Sequence, residues 1–257
     1  MMSNLTPVQN NLPVDSNYVT KMLSSIKEDF LAVNSDMDFD FVNIGTWLNI
    51  SKKGNFVEKD GNDQIVADYG DRIDVVVAHG EKRWTLWGKQ ESPEAGQLIV
   101  AKKDRGEAEI ELQSYLQENP EAQTRYDLKS LELRYLAYVV PIATLRPDGF
   151  PKIYLMSFPS TTTIQWGKYA QNIYLGKGIK AEVPARTGVN RIVTRMTTAE
   201  KGSGDKSWIG IDFEAVGMFD PQDYGIEWKA DANVAAPVAS FAQPVAETKV
   251  ATGADPY

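Results

Sequence analysis

Apolar residues recur at two different spacings along the chain, and each spacing predicts a different kind of element. Between residues 17 and 33 they return every three or four positions, which predicts an amphipathic helix with one buried face. Beyond residue 40 apolar and polar residues alternate over short runs, which indicates strands bounded by turns. The predicted strands cover residues 44–50, 56–58, 72–79, 83–89, 97–103, 131–145, 152–158, 190–198 and 208–216.

Local signals add two helices and a hairpin. Residues 107–118 and 160–175 have the periodicity of helices. Gly80 follows the strand 72–79 and precedes the strand 83–89, which predicts a hairpin at this glycine. Many short strands with two or three helices predict a β-rich α+β fold, built as an antiparallel Greek-key barrel or as a sandwich.

Composition divides the chain into three parts. Residues 1–34 are a polar leader followed by the amphipathic helix, and residues 35–229 form a β-rich core domain. Residues 230–257 contain nine Ala, four Val and three Pro, with scarcely any large apolar side chain. Such a segment buries too little surface to offset the entropy lost on ordering. The sequence therefore predicts a disordered C-terminal tail.

Composition also excludes several classes of function. The 257 residues are 42% hydrophobic and 24% charged, which is ordinary globular usage. The chain has no cysteine and one histidine, which excludes disulfides, thiolate nucleophiles, iron–sulfur clusters and most zinc sites. No apolar run reaches the ~20 residues of a membrane helix, and residues 1–13 lack the pattern of a secretory signal. We therefore expect a cytoplasmic protein without membrane contact, cofactor or catalytic activity.

Charge is distributed unevenly, although its total is −8. Residues 123–198 contain eleven Lys and Arg against four Asp and Glu, whereas the segments on either side are acidic. A basic middle between acidic flanks is typical of a protein that binds a polyanion. The alternative is that these cations are solvated, or paired with acidic neighbours in space.

Catalytic and metal-binding groups are only weakly indicated. His79, the single histidine, precedes the predicted turn, and no nucleophile arrangement surrounds it. The aspartates at residues 36–40 and 60–74 offer oxygen ligands for Mg²⁺ or Ca²⁺, but neither group matches the spacing of an EF-hand loop. Solvated acidic turns are the simpler interpretation of both groups. Whether residues 60–74 bind a divalent cation stays open from the sequence.

Cations and aromatic rings share faces in the predicted strands, because side chains alternate along a strand. The residues that share a face are Arg83, Trp87 and Lys89; Arg134 and Tyr138; Lys152 and Tyr154; and Arg191 and Arg195. The loop at residues 176–188 adds Lys177, Lys180 and Arg186. Such cations follow phosphates while rings stack on bases, so these twelve residues are the predicted contacts to single-stranded nucleic acid. The alternative is that the rings belong to the core and the cation stems pack past them.

Four segments of the second half carry a resemblance to a known group of proteins. They are Leu-Met-Ser-Phe-Pro-Ser at residues 155–160, Tyr169, Val-Thr-Arg-Met-Thr at residues 193–197, and the strand at residues 209–217. Over residues 131–217 the chain resembles phage-encoded single-stranded-DNA-binding proteins of the OB-fold type. Several of those proteins carry a cysteine cluster that is a candidate zinc site. This chain has no cysteine, so the resemblance implies no metal here.

The resemblance implies an OB-like barrel that binds single-stranded DNA without sequence specificity in phage replication or recombination. The C-terminal tail ends in Gly-Ala-Asp-Pro-Tyr, which is similar to the tails with which such proteins recruit replication or recombination partners. The alternative is a phage virion structural or adaptor protein, since a β-rich acidic core with extended termini also suits capsid and tail assemblies. A Mg²⁺-dependent nuclease built on the carboxylates of residues 60–74 is the third option.

Overall fold

A computed structural model of the chain describes residues 18–33, 46–60, 63–89, 91–147, 151–177, 181–202 and 207–226. Within these residues the fold is β-rich α+β with three α-helices, as predicted. The helices are α1 (Tyr18–Val33), α2 (Arg105–Glu118) and α3 (Ser160–Leu175). The strands are β1 (Thr46–Ile50), β2 (Phe56–Lys59), β3 (Ile65–Asp68), β4 (Arg72–Trp87), β5 (Leu98–Lys102), β6 (Glu132–Pro141), β7 (Tyr154–Phe158), β8 (Ile192–Lys201) and β9 (Trp208–Met218). The predicted leader, before residue 18, and the predicted C-terminal tail lie outside the described residues.

The strands form one mixed sheet that curls strongly into a half-barrel. Its order is β3-β2-β1-β7-β6-β4-β8-β9, and β5 also pairs with β4. The prediction of a purely antiparallel sheet is wrong, because β1 and β7 are parallel, with Thr46 opposite Tyr154 and Trp47 opposite Leu155. Parallel neighbours need a long crossover connection, and the long chain between β1 and β7 supplies one.

The curl brings the β1–β2 turn against β8. The hydroxyl of Thr198 in β8 donates to the carbonyl of Gly54 in the β1–β2 turn at 2.6 Å, and its N–H donates to the Asp71 carbonyl at 2.9 Å. Gly54 has a φ of 90°, and a Cβ on it would lie 3.2 Å from the Thr198 hydroxyl oxygen. Only glycine satisfies both the turn and this close approach without strain. The sheet therefore has an inner face, which it wraps around, and an outer face.

The inner face carries the largest core, and α3 fills it. Trp166, Tyr169 and Ile173 of α3 are buried there, which confirms the predicted apolar face of this helix. The ring of Phe213 in β9 lies 5.2 Å from the Trp166 ring and 5.8 Å from the Tyr169 ring. The Tyr169 hydroxyl is 2.8 Å from the hydroxyl of Thr194 in β8. Because its polar atom is satisfied, the tyrosine is accommodated in an otherwise apolar core.

The outer face is covered in part by α1. Val19 and Leu23 of α1 are buried in one cluster with Val76 and Ala78 of β4. The Thr20 hydroxyl donates to the Ala78 carbonyl at 3.0 Å, which fixes the helix along the strand. The predicted amphipathic helix is confirmed to within one residue at its start.

A third cluster lies between α2 and the end of β4. Asp104 caps α2, and its carboxylate accepts from the backbone N–H groups of Gly106 and Glu107. Ala108 and Leu112 of α2 then pack with Leu86 and Val100 of the β4–β5 pair. These contacts place Leu86 on the face of β4 that α2 covers.

β4 is one continuous strand of 16 residues, so the hairpin predicted at Gly80 is wrong. It pairs with β6 along most of its length, and a bulge after Val77 shifts the register. Gly80 lies against the ring of Tyr135 in β6, where a Cβ would come within 2.5 Å of the ring atoms. Glycine is therefore needed for packing and not for a turn. His79 accordingly lies within a strand, with its ring 6.1 Å from that of Tyr138.

Substitution of Gly80 by alanine is expected to lower the free energy of unfolding by about 1–3 kcal/mol, because the new methyl group overpacks against Tyr135. Gly167→Ala is the matched control, since no described atom outside the backbone of α3 lies within 4 Å of the Cβ position of this glycine. Alanine there favours the helix by about 0.5–1 kcal/mol. Urea unfolding followed by circular dichroism measures both variants. A Gly80→Ala protein as stable as the parent would contradict the packing role.

Candidate nucleic-acid interface

Arg83, one of the predicted phosphate contacts, is buried. Its side chain is 1% exposed, and Nη2 lies 2.8 Å from Glu81 Oε1. Nη1 donates to the carbonyl of Ala101 in β5 at 3.2 Å. Lys103 adds its ammonium at 3.3 Å from the other oxygen of Glu81. Arg83 is therefore a structural ion-pair residue, which corrects the prediction of a surface cation.

Tyr138 and Tyr154 also lie in the core. Both side chains are 0% exposed, Tyr138 under the outer face and Tyr154 on the inner face. Burial raises the pKa of each hydroxyl well above its ordinary value. Neither ring offers a face to a nucleotide base, so the alternative interpretation of these two residues, that they are core, is the correct one.

Lys152 belongs to a polar cluster around a buried carboxylate. Glu58 of β2 is 7% exposed, and its Oε2 accepts from the Tyr154 hydroxyl at 2.8 Å and from the Lys152 ammonium at 2.5 Å. The Tyr69 hydroxyl lies 2.8 Å from the Tyr154 hydroxyl. We call Glu58, Tyr69, Lys152 and Tyr154 the Glu58 cluster. It neutralises the charge of Lys152 and ties β2 to β7 across β1.

Arg195 is likewise paired with a carboxylate. Its Nε and Nη2 each lie 2.8 Å from an oxygen of Asp74, the residue opposite it in β4. The hydrogen bonds to Asp74 raise the pKa of the guanidinium further. A bidentate pair of this kind is among the stronger ion pairs. Phosphate would have to compete with Asp74 for this arginine.

Two further predicted cations have different surroundings. Lys89 is exposed, but its ammonium bonds to the Arg125 carbonyl and lies 5.4 Å from the centre of the Tyr126 ring. Arg191 is half-buried in the short turn that precedes β8.

Two tryptophans and an arginine meet on the outer face of the sheet. Trp47 of β1 and Trp87 of β4 pack edge to face, with ring centres 4.8 Å apart and planes at 75°. The guanidinium carbon of Arg134 in β6 lies 6.0 Å from the centre of the Trp87 ring. Both indoles are half-buried, and 25% of the Arg134 side chain is exposed. We call Trp47, Trp87 and Arg134 the tryptophan cluster.

Neighbouring side chains fix the orientation of Arg134. Nη2 lies 2.7 Å from Glu132 Oε2, and Nε donates to the same oxygen at 2.9 Å. Nη1 is 3.5 Å from the Ser157 hydroxyl of β7. Because Glu132 is 58% exposed, this is a surface ion pair that contributes little to stability. Arg134 can exchange Glu132 for a phosphate at small cost.

Trp47 is a member of this cluster that the sequence analysis did not select. Its strand was predicted, and alternation around the buried Leu48 places Trp47 on the opposite face. The contact between Trp47 and Trp87 could not be predicted from local patterns, because β7 and β6 lie between β1 and β4 in the sheet. The two indoles meet by reaching across these strands.

The predicted loop cations follow α3 in the chain. Lys177 and Arg186 are exposed beside the C-terminus of α3, and the N–H of Arg186 donates to the Tyr174 carbonyl at 2.6 Å. Lys180 lies outside the described residues. The twelve predicted contacts therefore do not form one continuous row. The structure brings together Trp87 with Arg134 and, around Glu58, Lys152 with Tyr154. The backbone of Arg186 lies beside the end of α3 that precedes Lys177.

The acidic turns do not form a metal site in the described residues. No three His, Asp or Glu side chains among them are close enough to hold a metal ion. Asp68 accepts from the Asn55 amide and the Gly70 N–H, which lower its pKa, and Asp63 pairs with Lys59 at 2.7 Å. The aspartates at residues 36–40 lie outside the described residues.

A search for membrane helices and three comparisons with known proteins complete the description of the chain. None of the described helices has the length and apolarity needed to cross a membrane. The chain matches no protein-family model, no curated protein and no solved structure. The likeness to phage single-stranded-DNA-binding proteins therefore stands on the sequence motifs alone.

Proposed function

We propose that this protein binds single-stranded DNA without sequence specificity and coats exposed strands in phage replication or recombination. The observation that carries the proposal is the tryptophan cluster, in which two half-exposed indoles and an arginine share one sheet face. Aromatic rings stack on bases of any sequence, and a guanidinium beside them pairs with phosphate. The proposed role is binding alone, in the host-cell cytoplasm, with no catalysis and no cofactor.

A hydrogen-bond donor in the cluster supports the proposal. The indole N–H of Trp87 is buried and has no acceptor among the described residues. Buried donors in native proteins nearly always have a partner, which here would be a water molecule or a group of a bound ligand. A carbonyl of a nucleobase or a phosphate oxygen is an acceptor of suitable chemistry.

We further propose that the half-barrel is a divergent Greek-key barrel of the OB type. The support is a single curled sheet whose β1–β2 turn contacts β8, with one helix filling its inner face. Partner proteins of replication or recombination would bind through the tail at residues 230–257. That tail lies outside the described residues.

Trp87→Ala is expected to weaken binding to an oligothymidine of about 20 nucleotides by ~1–3 kcal/mol, the usual contribution of one stacked base. The loss should be similar for oligonucleotides of other sequences, because stacking is tolerant of base identity. Fluorescence anisotropy of the labelled strand measures the affinity, and circular dichroism measures the folded fraction.

Trp84→Ala is the matched control for this experiment. Trp84 neighbours Trp87 in β4 and is equally half-buried, but it packs on the opposite face with the α2 cluster. The control variant loses the same ring volume and should keep the parent's affinity. If both variants weaken binding equally, or neither does, the tryptophan cluster is not the binding site.

One observation favours the second candidate, a virion structural or adaptor protein. Among the described strands β3 ends the sheet and pairs only with β2, and its Ile65 and Val66 are 53% and 57% exposed. An open apolar edge strand is a place where another chain can add a strand. A protein of this kind would be found in purified phage particles and would show no affinity for oligothymidine.

A further inference from the structure

A second group of aromatic and cationic side chains surrounds the C-terminus of α3. Tyr174 is 40% exposed there, and both Lys177 and Arg186 are exposed. Neither cation forms an ion pair with any residue that the structure describes, in contrast to Arg134, Lys152 and Arg195. We call Tyr174, Lys177 and Arg186 the α3-end patch. It combines a free ring with uncompensated positive charge.

The backbone holds this patch together. Gly176 ends α3 in the left-handed conformation, with a φ of 62°, and turns the chain so that residue 185 packs against it. The N–H of Arg186 then donates to the Tyr174 carbonyl at 2.6 Å. Arg186 itself has a φ of 66°, in the left-handed region that a non-glycine residue rarely adopts. The strained residue is thus the one whose backbone bonds to that of the exposed tyrosine.

The α3-end patch is separate from the tryptophan cluster. α3 begins where the Ser160 hydroxyl donates to the Leu133 carbonyl at 3.3 Å, next to Arg134 in the chain. α3 spans 16 residues, about 24 Å along the helix axis, and ends at the patch. The two groups share no residue, so the effects of substitutions in them are expected to add.

We infer that the α3-end patch is a second contact for the same single strand, with Tyr174 stacking on a base and the two cations on phosphates. This inference rests on the proposed function. It adds Tyr174, an aromatic residue that is not among the twelve predicted contacts. The α3-end patch combines an aromatic ring with unpaired cations and has no large apolar surface around it. Such a patch is better suited to bind nucleic acid than to bind an apolar protein surface. The alternative is that the patch binds an acidic protein, and the experiment below distinguishes this from DNA binding.

The test measures binding of an oligothymidine of about 20 nucleotides, which at roughly 3.4 Å per nucleotide is long enough to reach both sites. Tyr174→Ala should weaken binding about fivefold or more, and Tyr174→Phe, which keeps the ring, should restore it. Lys177→Gln and Arg186→Gln should each reduce the slope of log affinity against log salt by about 0.7. Combined with Trp87→Ala, the loss from Tyr174→Ala should multiply.

Two variants serve as controls. Leu175→Ala removes the exposed apolar neighbour of Tyr174, and Lys129→Gln removes an exposed cation elsewhere on the surface. Both should bind like the parent. If Tyr174→Ala lowers the melting temperature while affinity is unchanged, the patch only stabilises the end of α3, and the inference is overturned.

The remaining outcomes separate the two claims. If the parent protein binds DNA and the patch variants bind equally well, the inference about the α3-end patch is overturned and the proposed function stands. A parent that binds no oligothymidine overturns both. Binding of an acidic peptide that depends on Lys177 and Arg186, without such dependence for DNA, would identify the patch as a protein contact instead.

Discussion

Lys152→Met is expected to lower the free energy of unfolding by about 3 kcal/mol, because it leaves the Glu58 carboxylate buried without its cation. Glu58 is 7% exposed, and its remaining partner is the Tyr154 hydroxyl. The cluster also joins β2 to β7 where the β1–β7 pairing is only two residues long. Loss of this ion pair therefore loosens the β1–β3 segment from the rest of the sheet.

A second substitution makes this prediction specific. Adding Glu58→Gln to Lys152→Met should recover most of the lost stability, because a neutral amide still accepts from Tyr154 and carries no buried charge. Lys201→Met is the control, since it breaks an exposed pair with Asp212 that contributes at most about 1 kcal/mol. Chemical denaturation measures all three. Equal losses for Lys152→Met and Lys201→Met would show that Glu58 is not effectively buried.

Stability is expected to fall steeply above pH ~10, the ordinary pKa of tyrosine. Burial raises the pKa of Tyr135 and Tyr169 to about 12, and raises the pKa of Tyr138 and Tyr154 as well. The unfolded chain therefore releases these protons before the folded protein does. The stability contributed by neutral tyrosines is complete below the unfolded pKa and is lost as the pH rises through the folded one.

The size of the effect follows from the same pKa shifts. Each tyrosine removes about 1.4 kcal/mol per pH unit between its unfolded and folded pKa, so Tyr135 and Tyr169 together remove about 3 kcal/mol by pH ~11. Tyr138 and Tyr154 add to this loss. Urea unfolding at pH ~9 and pH ~11, with tyrosinate absorbance as the monitor, measures it. Tyr169→Phe should show a shallower dependence, and unchanged stability across this range would refute the burial of these hydroxyls.

Elements with a clear local period could be predicted from the sequence. The three helices and most strands were found, because amphipathic and alternating patterns report which side of an element is buried. Gly80 was misread because a glycine that makes room for the Tyr135 ring resembles a glycine in a turn. β3 was missed because Ile65 and Val66 are exposed at the sheet edge and follow no burial pattern.

The candidate site could be predicted only in part. Alternation placed Trp87 and Arg134 among the predicted contacts of two separate strands, and in the structure the two side chains lie in contact. It also placed Arg83 on the face of Trp87, but Arg83 is buried against Glu81 and β5, and no local pattern encodes that burial. Trp47 and Tyr174 depend on contacts between distant strands and on a loop that folds back. A single sequence carries no direct signal for such contacts.

The central claim, that this chain binds single strands through rings and cations, is tested most directly by one titration. Labelled oligothymidine is titrated with the parent protein at about 50 mM and about 500 mM salt. With phosphate contacts from Arg134, Lys177 and Arg186, the slope of about −0.7 per contact predicts roughly a hundredfold loss of affinity between the two conditions. Absence of binding at the lower salt, or an affinity that does not change with salt, would contradict the account.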